Sequence, residues 1–281
     1  MLESVVVDMG ELEKKHARLE EQLGRMPSLI VAYSGGVDSA YLAYAAHRAL
    51  GERMLAVTAL SASYSARDRV EAEKCVARYD FRHEFISTDE LANPSYRANQ
   101  GDRCYFCKDE LFAKLDELAG KRGFAGVAYG INHDDLGDWR PGQQAAREHK
   151  VLTPLLDAGL TKADIRELSR RVDLPVWDRP ASACLSSRIA YGIEVTPERL
   201  AIVEKGEESL RTLGFRQFRV RYHEQLVRLE ISPEEMPRAL SIEMTRKFIV
   251  IFKELGFKFV TLDLEGYRTG SMNSLLVNIQ K

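Results

Sequence analysis

Apolar residues recur along the chain in two patterns, one typical of helices and one typical of buried strands. Residues 9–26 are mostly charged, but Leu12, Leu19 and Leu23 recur on one helical face, which predicts an amphipathic first helix. Short, nearly continuous apolar runs follow, separated by segments of helical periodicity. The predicted strands are residues 28–33, 54–60, 82–88 and 126–132, and the predicted helices between them are residues 37–50, 65–79 and 108–123.

The order of these elements predicts the fold class. Strands that are apolar at nearly every position are typical of a parallel sheet covered by helices on both faces. Strands that alternate with helices predict right-handed crossovers between parallel neighbours. We therefore predict an α/β fold, a doubly wound parallel sheet.

The pattern changes in the last third of the chain. A helix over residues 196–214 precedes two strands, residues 215–223 and 226–232, and further helix leads to a last strand over residues 257–264. This order predicts a smaller C-terminal α+β domain with an antiparallel pair of strands. We place the boundary within residues 192–197, which gives domains of residues 1–195 and 196–281.

Composition and charge restrict the function. The chain has 281 residues, 45% hydrophobic and 29% charged, as expected of a globular protein with a substantial core. Its net charge of −2 argues against a dedicated nucleic-acid binder. The longest apolar runs are too short to span a bilayer, and the first residues lack the pattern of a signal peptide. We expect a cytoplasmic protein with no nucleic-acid or membrane partner.

The stretch VAYSGGVDSAYLA, residues 31–43, changes from strand to helix pattern across Ser34-Gly35-Gly36. Two glycines allow successive backbone amides to point at one anion, and the start of a helix adds partial positive charge. The spacing matches neither a Walker A loop nor a dinucleotide-binding loop. An ordinary strand–turn–helix connection is the alternative to an anion site.

Cysteines form the second candidate site. Cys75 lies in a helical pattern and is predicted to be a buried apolar residue. Cys104 and Cys107 form a C-x-x-C pair just before a predicted helix, and Cys184 follows 77 positions after Cys107. Three thiolates fit a 4Fe–4S cluster with one open iron, whereas zinc prefers a fourth ligand. Structural zinc, a redox disulfide and three unrelated thiols remain alternatives.

Polar residues after the fourth predicted strand form a third candidate group. Gly130 and Asn132 end that strand at the edge of the sheet where ligand sites form in α/β folds. The acidic residues Asp134, Asp135 and Asp138 follow in the next loop and would hold Mg²⁺ or cap a helix, and Arg140 would meet a phosphate or carboxylate.

A last group lies beyond Cys184. Ser187 and Arg188 come one loop later. Strand alternation in FRVRYH sends Arg219, Arg221 and His223 to one face and the apolar residues to the other. Two neighbouring arginines would clamp a phosphate, and a solvated strand face is the alternative.

These motifs together resemble a known family. SGGVDS resembles the PP-loop of the N-type ATP pyrophosphatases, which have an adenine nucleotide alpha hydrolase-like fold and cleave ATP between the α- and β-phosphates. With RCYFCK, GINHDDLGDWRPGQQAARE, LPVWDRPASACLSSRIAYG, RVRYH and VRLEI, nearly the whole chain resembles the LarE family of ATP-dependent sulfur transferases. The resemblance implies a pyridinium-3,5-dicarboxylate mononucleotide as substrate. Its carboxylates are adenylylated and become thiocarboxylates of the nickel-pincer nucleotide, the cofactor of lactate racemase.

The resemblance also implies roles for individual residues. Asp38 would hold Mg²⁺, and Cys184, Asp38, Ser187, Arg188 and Glu207 would be catalytic. Residues implied to bind ATP or pyrophosphate are Ser34, Gly35, Gly36, Asp38, Ser39, Gly130 and Asn132. Arg219 and Arg221 would bind the substrate phosphate, and Cys104, Cys107 and Cys184 would hold the 4Fe–4S cluster.

The sequence leaves several questions open. Some family members donate the sulfur of one cysteine, so Cys184 is either a cluster ligand or is itself consumed. The sulfide donor and the acidic residue of 134–138 that holds Mg²⁺ are undetermined, and a homo-oligomer, a hexamer, is implied by resemblance alone. The alternative functions are an iron–sulfur tRNA thiolase of the PP-loop class and a non-catalytic, nucleotide-regulated metal-binding module.

Overall fold

The computed structural model describes residues 9–137, 141–179, 183–268 and 270–272. The predicted candidates Asp138 and Arg140 lie outside these residues. The helices are α1 (Met9–Gly24), α2 (Val37–Leu50), α3 (Ala66–Tyr79), α4 (Pro94–Ala98), α5 (Arg103–Arg122), α6 (Pro141–Glu148), α7 (Pro154–Asp157), α8 (Lys162–Arg171), α9 (Pro197–Thr212), α10 (Met236–Ala239) and α11 (Ile242–Glu254). The strands are β1 (Leu29–Ala32), β2 (Met54–Leu60), β3 (His83–Ser87), β4 (Val127–Tyr129), β5 (Phe218–His223), β6 (Leu226–Ile231) and β7 (Phe259–Leu262).

The chain divides into two compact units. The first comprises Met1–Thr88 and Cys104–Ser182, and the second comprises Asp89–Arg103 and Ala183–Lys281. In the first unit the strand order is β3-β2-β1-β4, and every neighbouring pair is parallel. The second unit contains a separate three-stranded sheet, and this architecture confirms the predicted fold class.

Burial on both faces of the first sheet explains why β1 is apolar at every position. In β1, Leu29 and Val31 pack into one core with α1 and α2, whereas Ile30 and Ala32 pack into another with α5. Successive strand residues point to opposite faces, so a strand buried on both faces has no polar alternation. The predicted lead-in helix is confirmed, since Leu12, Leu19 and Leu23 of α1 are fully buried.

One helix begins earlier than the sequence predicts. The expected helix started at residue 108, but α5 starts at Arg103, so Cys104 and Cys107 lie within its first two turns rather than before it. Tyr105 explains the extension, because it packs against the second core and its hydroxyl donates to Glu148 of α6. The cysteines therefore belong to a regular helix, which determines how their side chains are spaced.

The second unit is built on the sheet β5-β6-β7. As predicted, β5 and β6 are antiparallel, and β7 is parallel to β6. Phe218 and Val220 of β5 pack with Phe248 and Phe252 of α11 in a third core. This core accounts for the apolar half of the alternating FRVRYH pattern.

The observed division differs from the boundary predicted at residue 195. Residues 183–195 belong to the second unit because Ile189 pairs with Tyr222 of β5 and the Ala190 amide donates to the Tyr222 carbonyl. The segment 89–103 joins the same unit, since Asn99 Nδ2 donates to the carbonyls of Ala190 and Ile193 at 2.9 and 3.0 Å. The Asn99 bonds link positions 91 and 94 residues apart, which composition does not reveal.

In the residues that the structure describes, every helix is too short or too polar to cross a bilayer.

Candidate active site

The loop between β1 and α2 has the geometry of an anion site. Gly35 has a φ of +76°, and a Cβ there would lie 3.0 Å from Cβ of Ala72 in α3, so both the conformation and the space require glycine. Gly36 is the N-cap of α2 and, lacking a side chain, cannot cap the amides of the first turn. A bound anion would satisfy those amides.

Two serine hydroxyls lie side by side at this loop. The Ser34 amide donates to Ser39 Oγ at 3.1 Å, and Ser39 Oγ donates to the Gly36 carbonyl at 3.0 Å. The Ser34 and Ser39 hydroxyl oxygens are 3.0 Å apart. The structure therefore brings the residues predicted around the phosphate into one short loop, held in shape by their own hydrogen bonds.

Gly130 and Asn132 lie at the carboxyl end of β4, next to the same loop. A Cβ on Gly130 would lie 2.7 Å from the Ser39 amide nitrogen and 2.9 Å from the Asp38 carbonyl carbon. Asn132 is buried, its Oδ1 accepts from the Asp134 amide, and its own amide donates to the Asp135 carboxylate. Gly130 thus permits close packing against α2, and Asn132 organises the acidic loop.

Replacing Gly130 by alanine should therefore damage the loop. The added methyl meets backbone rather than a flexible side chain, so we expect a loss of about 1–3 kcal/mol of stability and weaker binding of Mg·ATP. Urea unfolding and calorimetric titration measure the two effects. Gly120→Ala in α5 is the matched control, because nothing lies within 4 Å of its added Cβ. Equal behaviour of the two variants would contradict the close approach of β4 to α2.

Asp38 and Lys162 form an ion pair at the start of α2. Lys162 Nζ lies 2.5 Å from Asp38 Oδ2, and the Lys162 amide donates to the Asp134 carboxylate at 2.8 Å. Burial raises the pKa of Asp38 above its ordinary value, and the nearby ammonium of Lys162 opposes that rise. Lys162 is 124 positions from Asp38 in the chain, and sequence reasoning missed it.

The position of the Asp38 carboxylate is also compatible with its predicted role as a magnesium ligand. Its Oδ1 atom is buried and accepts no hydrogen bond within the described residues. Asp135 is close enough that its negative charge also raises the pKa of Asp38. Mg²⁺ prefers carboxylate oxygens and phosphate together, so Asp38 beside an anion loop supplies the expected ligand type.

Two further side chains, one that contacts the loop and one that contacts the neighbouring helix α3, were not predicted. The Tyr64 hydroxyl donates to the Ser34 carbonyl at 3.1 Å. Arg179 forms an ion pair with Asp68 in the first turn of α3, and its carbonyl accepts from Arg166 Nη2 at 3.0 Å. Tyr64 stands just before Ser65, the N-cap of α3, but its contact with Ser34 is tertiary.

The second unit contains Cys184, Ser187, Arg188 and Glu207. Arg188 and Glu207 form a buried two-pronged ion pair, with Nε–Oε1 at 2.8 Å and Nη2–Oε2 at 3.3 Å. Arg188 Nη1 also donates to the Cys184 carbonyl and Ser187 Oγ, both at 3.0 Å, and Ser187 Oγ donates to the Cys184 carbonyl at 2.7 Å. Cys184 itself is exposed. The loop that presents this thiol is therefore held by Arg188, which Glu207 orients.

This ion pair should contribute to stability as well as to the site. Glu207→Gln removes the carboxylate beside a guanidinium that is only 3% exposed, so we expect a loss of about 3–5 kcal/mol in the free energy of unfolding. Glu208→Gln breaks an exposed pair with Arg211 on the same helix and should cost less than about 1 kcal/mol. Urea unfolding measures both variants. Similar losses would show that the buried pair contributes no more to stability than the exposed pair.

Arg219 and Arg221 lie on one face of β5, as alternation predicts, but their surroundings differ. Arg221 is buried and forms an ion pair with Glu230 of β6 at 2.8 Å, and it donates to the Ser187 carbonyl at 3.1 Å. Arg219 stacks over the Tyr267 ring at 4.9 Å, and burial, with the nearby Arg188, lowers its pKa. Arg221 Nε is buried without a partner among the described residues. Glu230 was not predicted, because the alternating pattern gives the face but not the cross-strand neighbour.

The cysteines of the predicted cluster are divided between the two units. Cys104 and Cys107 stand three positions apart on α5, so their side chains project from one face of the helix. Cys184 belongs to the second unit. Among the described residues no group of three or more His, Cys, Asp or Glu side chains is arranged to hold a metal.

Hydrogen bonds within the second unit connect the chain just before Cys104 to the chain just after Cys184. The Tyr96 hydroxyl lies 2.6 Å from Ser186 Oγ, and the Asn99 side chain donates to carbonyls of residues 189–193. Arg103, which directly precedes Cys104, pairs with Asn99 Oδ1 and stacks over Tyr191. The residues that adjoin Cys104 and Cys184 in the chain are therefore hydrogen-bonded to one another within the second unit.

Comparison with known proteins identifies relatives over nearly the full chain. No protein-family model matches the sequence. An uncharacterized protein of Synechocystis sp. is 42% identical over 265 residues, which cover 94% of this chain and 99% of that protein. One of the subunits of the glutamine-hydrolyzing GMP synthase of Pyrococcus horikoshii is 26% identical over 232 residues, covering 75% of this chain and 73% of that protein.

A third relative carries a functional name that agrees with the motifs. The pyridinium-3,5-bisthiocarboxylic acid mononucleotide synthase of Lactiplantibacillus plantarum is 32% identical over 275 residues, which cover 97% of this chain and 98% of that protein. Identity at this level over almost the whole of both proteins shows that the chain belongs to the LarE family, the family of that synthase.

Proposed function

We propose that the protein is an ATP-dependent sulfur transferase that forms AMP and pyrophosphate. It adenylylates the carboxylates of a pyridinium-3,5-dicarboxylate mononucleotide and converts them to thiocarboxylates. The observation that carries the proposal is the loop Ser34–Ser39, with Gly35 at positive φ and tightly packed against Ala72, two adjacent hydroxyls and the Asp38 carboxylate. The names of two relatives, a bisthiocarboxylic acid mononucleotide synthase and a GMP synthase subunit, support a mononucleotide substrate.

The first unit would perform the activation. The amides at the start of α2 and the Ser34 and Ser39 hydroxyls would hold the β- and γ-phosphates, and Asp38 would bind the magnesium of Mg·ATP. Magnesium supplies positive charge where negative charge develops on the leaving pyrophosphate. A carboxylate oxygen of the substrate then attacks the α-phosphorus, and the resulting acyl adenylate has AMP as a good leaving group.

The second unit would hold the substrate and present Cys184. Arg219 and Arg221 would bind the mononucleotide phosphate, with Arg221 held in place by Glu230. Arg188, oriented by Glu207, would hold the Cys184 loop while the adenylate reacts. These contacts would hold the substrate phosphate and the Cys184 loop without any proton transfer by the arginines, which remain charged.

For the sulfur source we propose a 4Fe–4S cluster bound by Cys104, Cys107 and Cys184. Support comes from the donor set, which is three thiolates, two of them one helical turn apart and one on an exposed loop. A cluster with three protein ligands supplies one open coordination position for exogenous sulfide. The protein would then remain unchanged after turnover, in contrast to a mechanism that consumes Cys184.

Turnover tests the function. Purified, anaerobically reconstituted protein should convert ATP to AMP and pyrophosphate only when the pyridinium mononucleotide is present. Release of AMP that instead depends on added tRNA would identify a tRNA thiolase. Absence of turnover with either acceptor would favour a nucleotide-regulated binding module and would refute the proposal.

Replacing an arginine of β5 should weaken binding of the mononucleotide and leave binding of ATP unchanged. Arg219→Gln removes one positive charge from the proposed phosphate site, so we expect the KM for the mononucleotide to rise roughly tenfold to a hundredfold, with the KM for ATP unchanged. Initial rates of pyrophosphate release at varied concentrations of each substrate measure the difference. Arg216→Gln, at a position just before β5 in the same unit, is the control. Equal losses for ATP and the mononucleotide would indicate a structural role for Arg219.

A further inference from the structure

The Lys162 side chain contacts Asp38 beside the loop and takes no part in starting helix α8. Helix α8 starts at Lys162, but its start is set by the capping box of Thr161 and Asp164. The bond to the Asp134 carboxylate uses the Lys162 backbone amide and not its side chain. The ammonium group instead donates to Asp38 Oδ2 at 2.5 Å.

The charges around Asp38 favour a cation there. Asp38 is partly buried, Asp135 adds negative charge to its surroundings, and both raise the pKa of Asp38. Lys162 opposes this effect by its charge and its hydrogen bond. An ammonium group and Mg²⁺ would neutralise the same carboxylate, so the two cations compete for it.

Resting on the proposed function, we propose that Lys162 exchanges partners during the reaction. In the ligand-free protein it neutralises Asp38 and thereby weakens binding of a divalent ion there. When Mg·ATP enters, Asp38 turns to the metal and Lys162 Nζ donates to the β-phosphate oxygens. The long, flexible stem of lysine permits this change without movement of α8.

The chemical step balances without a proton or electron from Lys162. A bond forms between the substrate carboxylate oxygen and the α-phosphorus, and the bond from that phosphorus to the oxygen bridging to the β-phosphorus breaks. The electron pair stays on the departing pyrophosphate. Lys162 remains protonated throughout and neutralises the charge that develops on the leaving group.

Two binding measurements on Lys162→Met test this exchange apart from turnover. Without nucleotide, removal of the competing ammonium should strengthen Mn²⁺ binding, followed by electron paramagnetic resonance, by about tenfold. Binding of magnesium pyrophosphate, followed by calorimetry, should weaken by about tenfold, because its ammonium partner is lost. Lys162→Arg retains the charge and should keep the weak Mn²⁺ binding of the wild type. The arginine variant separates the loss of the positive charge from the loss of the lysine side chain itself.

Lys15→Met is the matched control. Lys15 forms a comparable pair with Asp164 at 2.7 Å in the first turn of the same helix, so its loss should leave both affinities unchanged. If wild-type protein fails to bind magnesium pyrophosphate, the proposed function fails and the exchange with it. If wild-type protein binds it and either affinity of Lys162→Met stays within about twofold of wild type, the exchange is overturned and the proposed function stands.

Discussion

Asp38→Asn should lower the rate of pyrophosphate release by about a thousandfold or more, which corresponds to roughly 4 kcal/mol of lost transition-state stabilisation. Asparagine preserves the shape of the side chain but removes the charge that binds magnesium. Oδ1 of Asp38 is buried and, among the described residues, accepts no hydrogen bond, so it is available to a bound metal ion. Quenched-flow or coupled-enzyme assays of pyrophosphate measure the effect.

The fold should survive this substitution. Within the described part of the chain, Asp38 belongs to none of the core clusters, and its carboxylate pairs with Lys162 on another helix. Circular dichroism and urea unfolding of Asp38→Asn should therefore match the wild type. Asp157→Asn, which alters an exposed bond to Thr153 at the end of α7 of the same unit, is the matched control and should retain activity. Pyrophosphate release by Asp38→Asn at the wild-type rate would rule out the assignment of the loop.

Cys104→Ser should abolish sulfur transfer while leaving adenylylation largely intact. A serine hydroxyl is a poor substitute for a thiolate as an iron ligand, so iron content after anaerobic reconstitution should fall from about four atoms per chain to near zero. AMP and pyrophosphate should still form, because Cys104 is not part of the β1–α2 loop. Iron and acid-labile sulfide analysis and product chromatography measure these effects.

Cys75 provides the control for this prediction. It is buried in the first core, with no exposed thiol surface. Cys75→Ala should therefore keep full iron content, with a modest loss of stability of about 1 kcal/mol. Unchanged iron in Cys104→Ser, or equal iron loss in both variants, would refute the assignment of the cluster ligands.

Local pattern predicted the parts of the site that are local in the chain. The strand–loop–helix at residues 28–50 depends on neighbouring residues, and the predicted helix 37–50 has the observed bounds of α2. Alternation likewise placed Arg219 and Arg221 on one strand face, opposite the apolar residues that form the third core. In each case the signal is a short-range periodicity that the backbone geometry imposes.

The features that the sequence did not predict depend on tertiary contacts. Lys162 reaches Asp38 only after the helices α2 and α8 have packed, and Glu230 meets Arg221 only through the pairing of β5 with β6. The early start of α5 depends on Tyr105 packing against the second core. The inclusion of residues 89–103 in the second unit depends on Asn99 and its bonds to the chain ninety residues later. No periodicity encodes such pairings.

The most direct test of sulfur transfer is isotopic. Reconstituted protein is incubated with Mg·ATP, the pyridinium dicarboxylate mononucleotide and sulfide carrying a heavy sulfur isotope, and both the product and the intact chain are then weighed by mass spectrometry. We predict a thiocarboxylate product that carries the heavy isotope, one AMP per sulfur inserted, and a chain of unchanged mass. A product with light sulfur, together with a chain that has lost the elements of H₂S at Cys184, would contradict the cluster route and show that the cysteine is consumed.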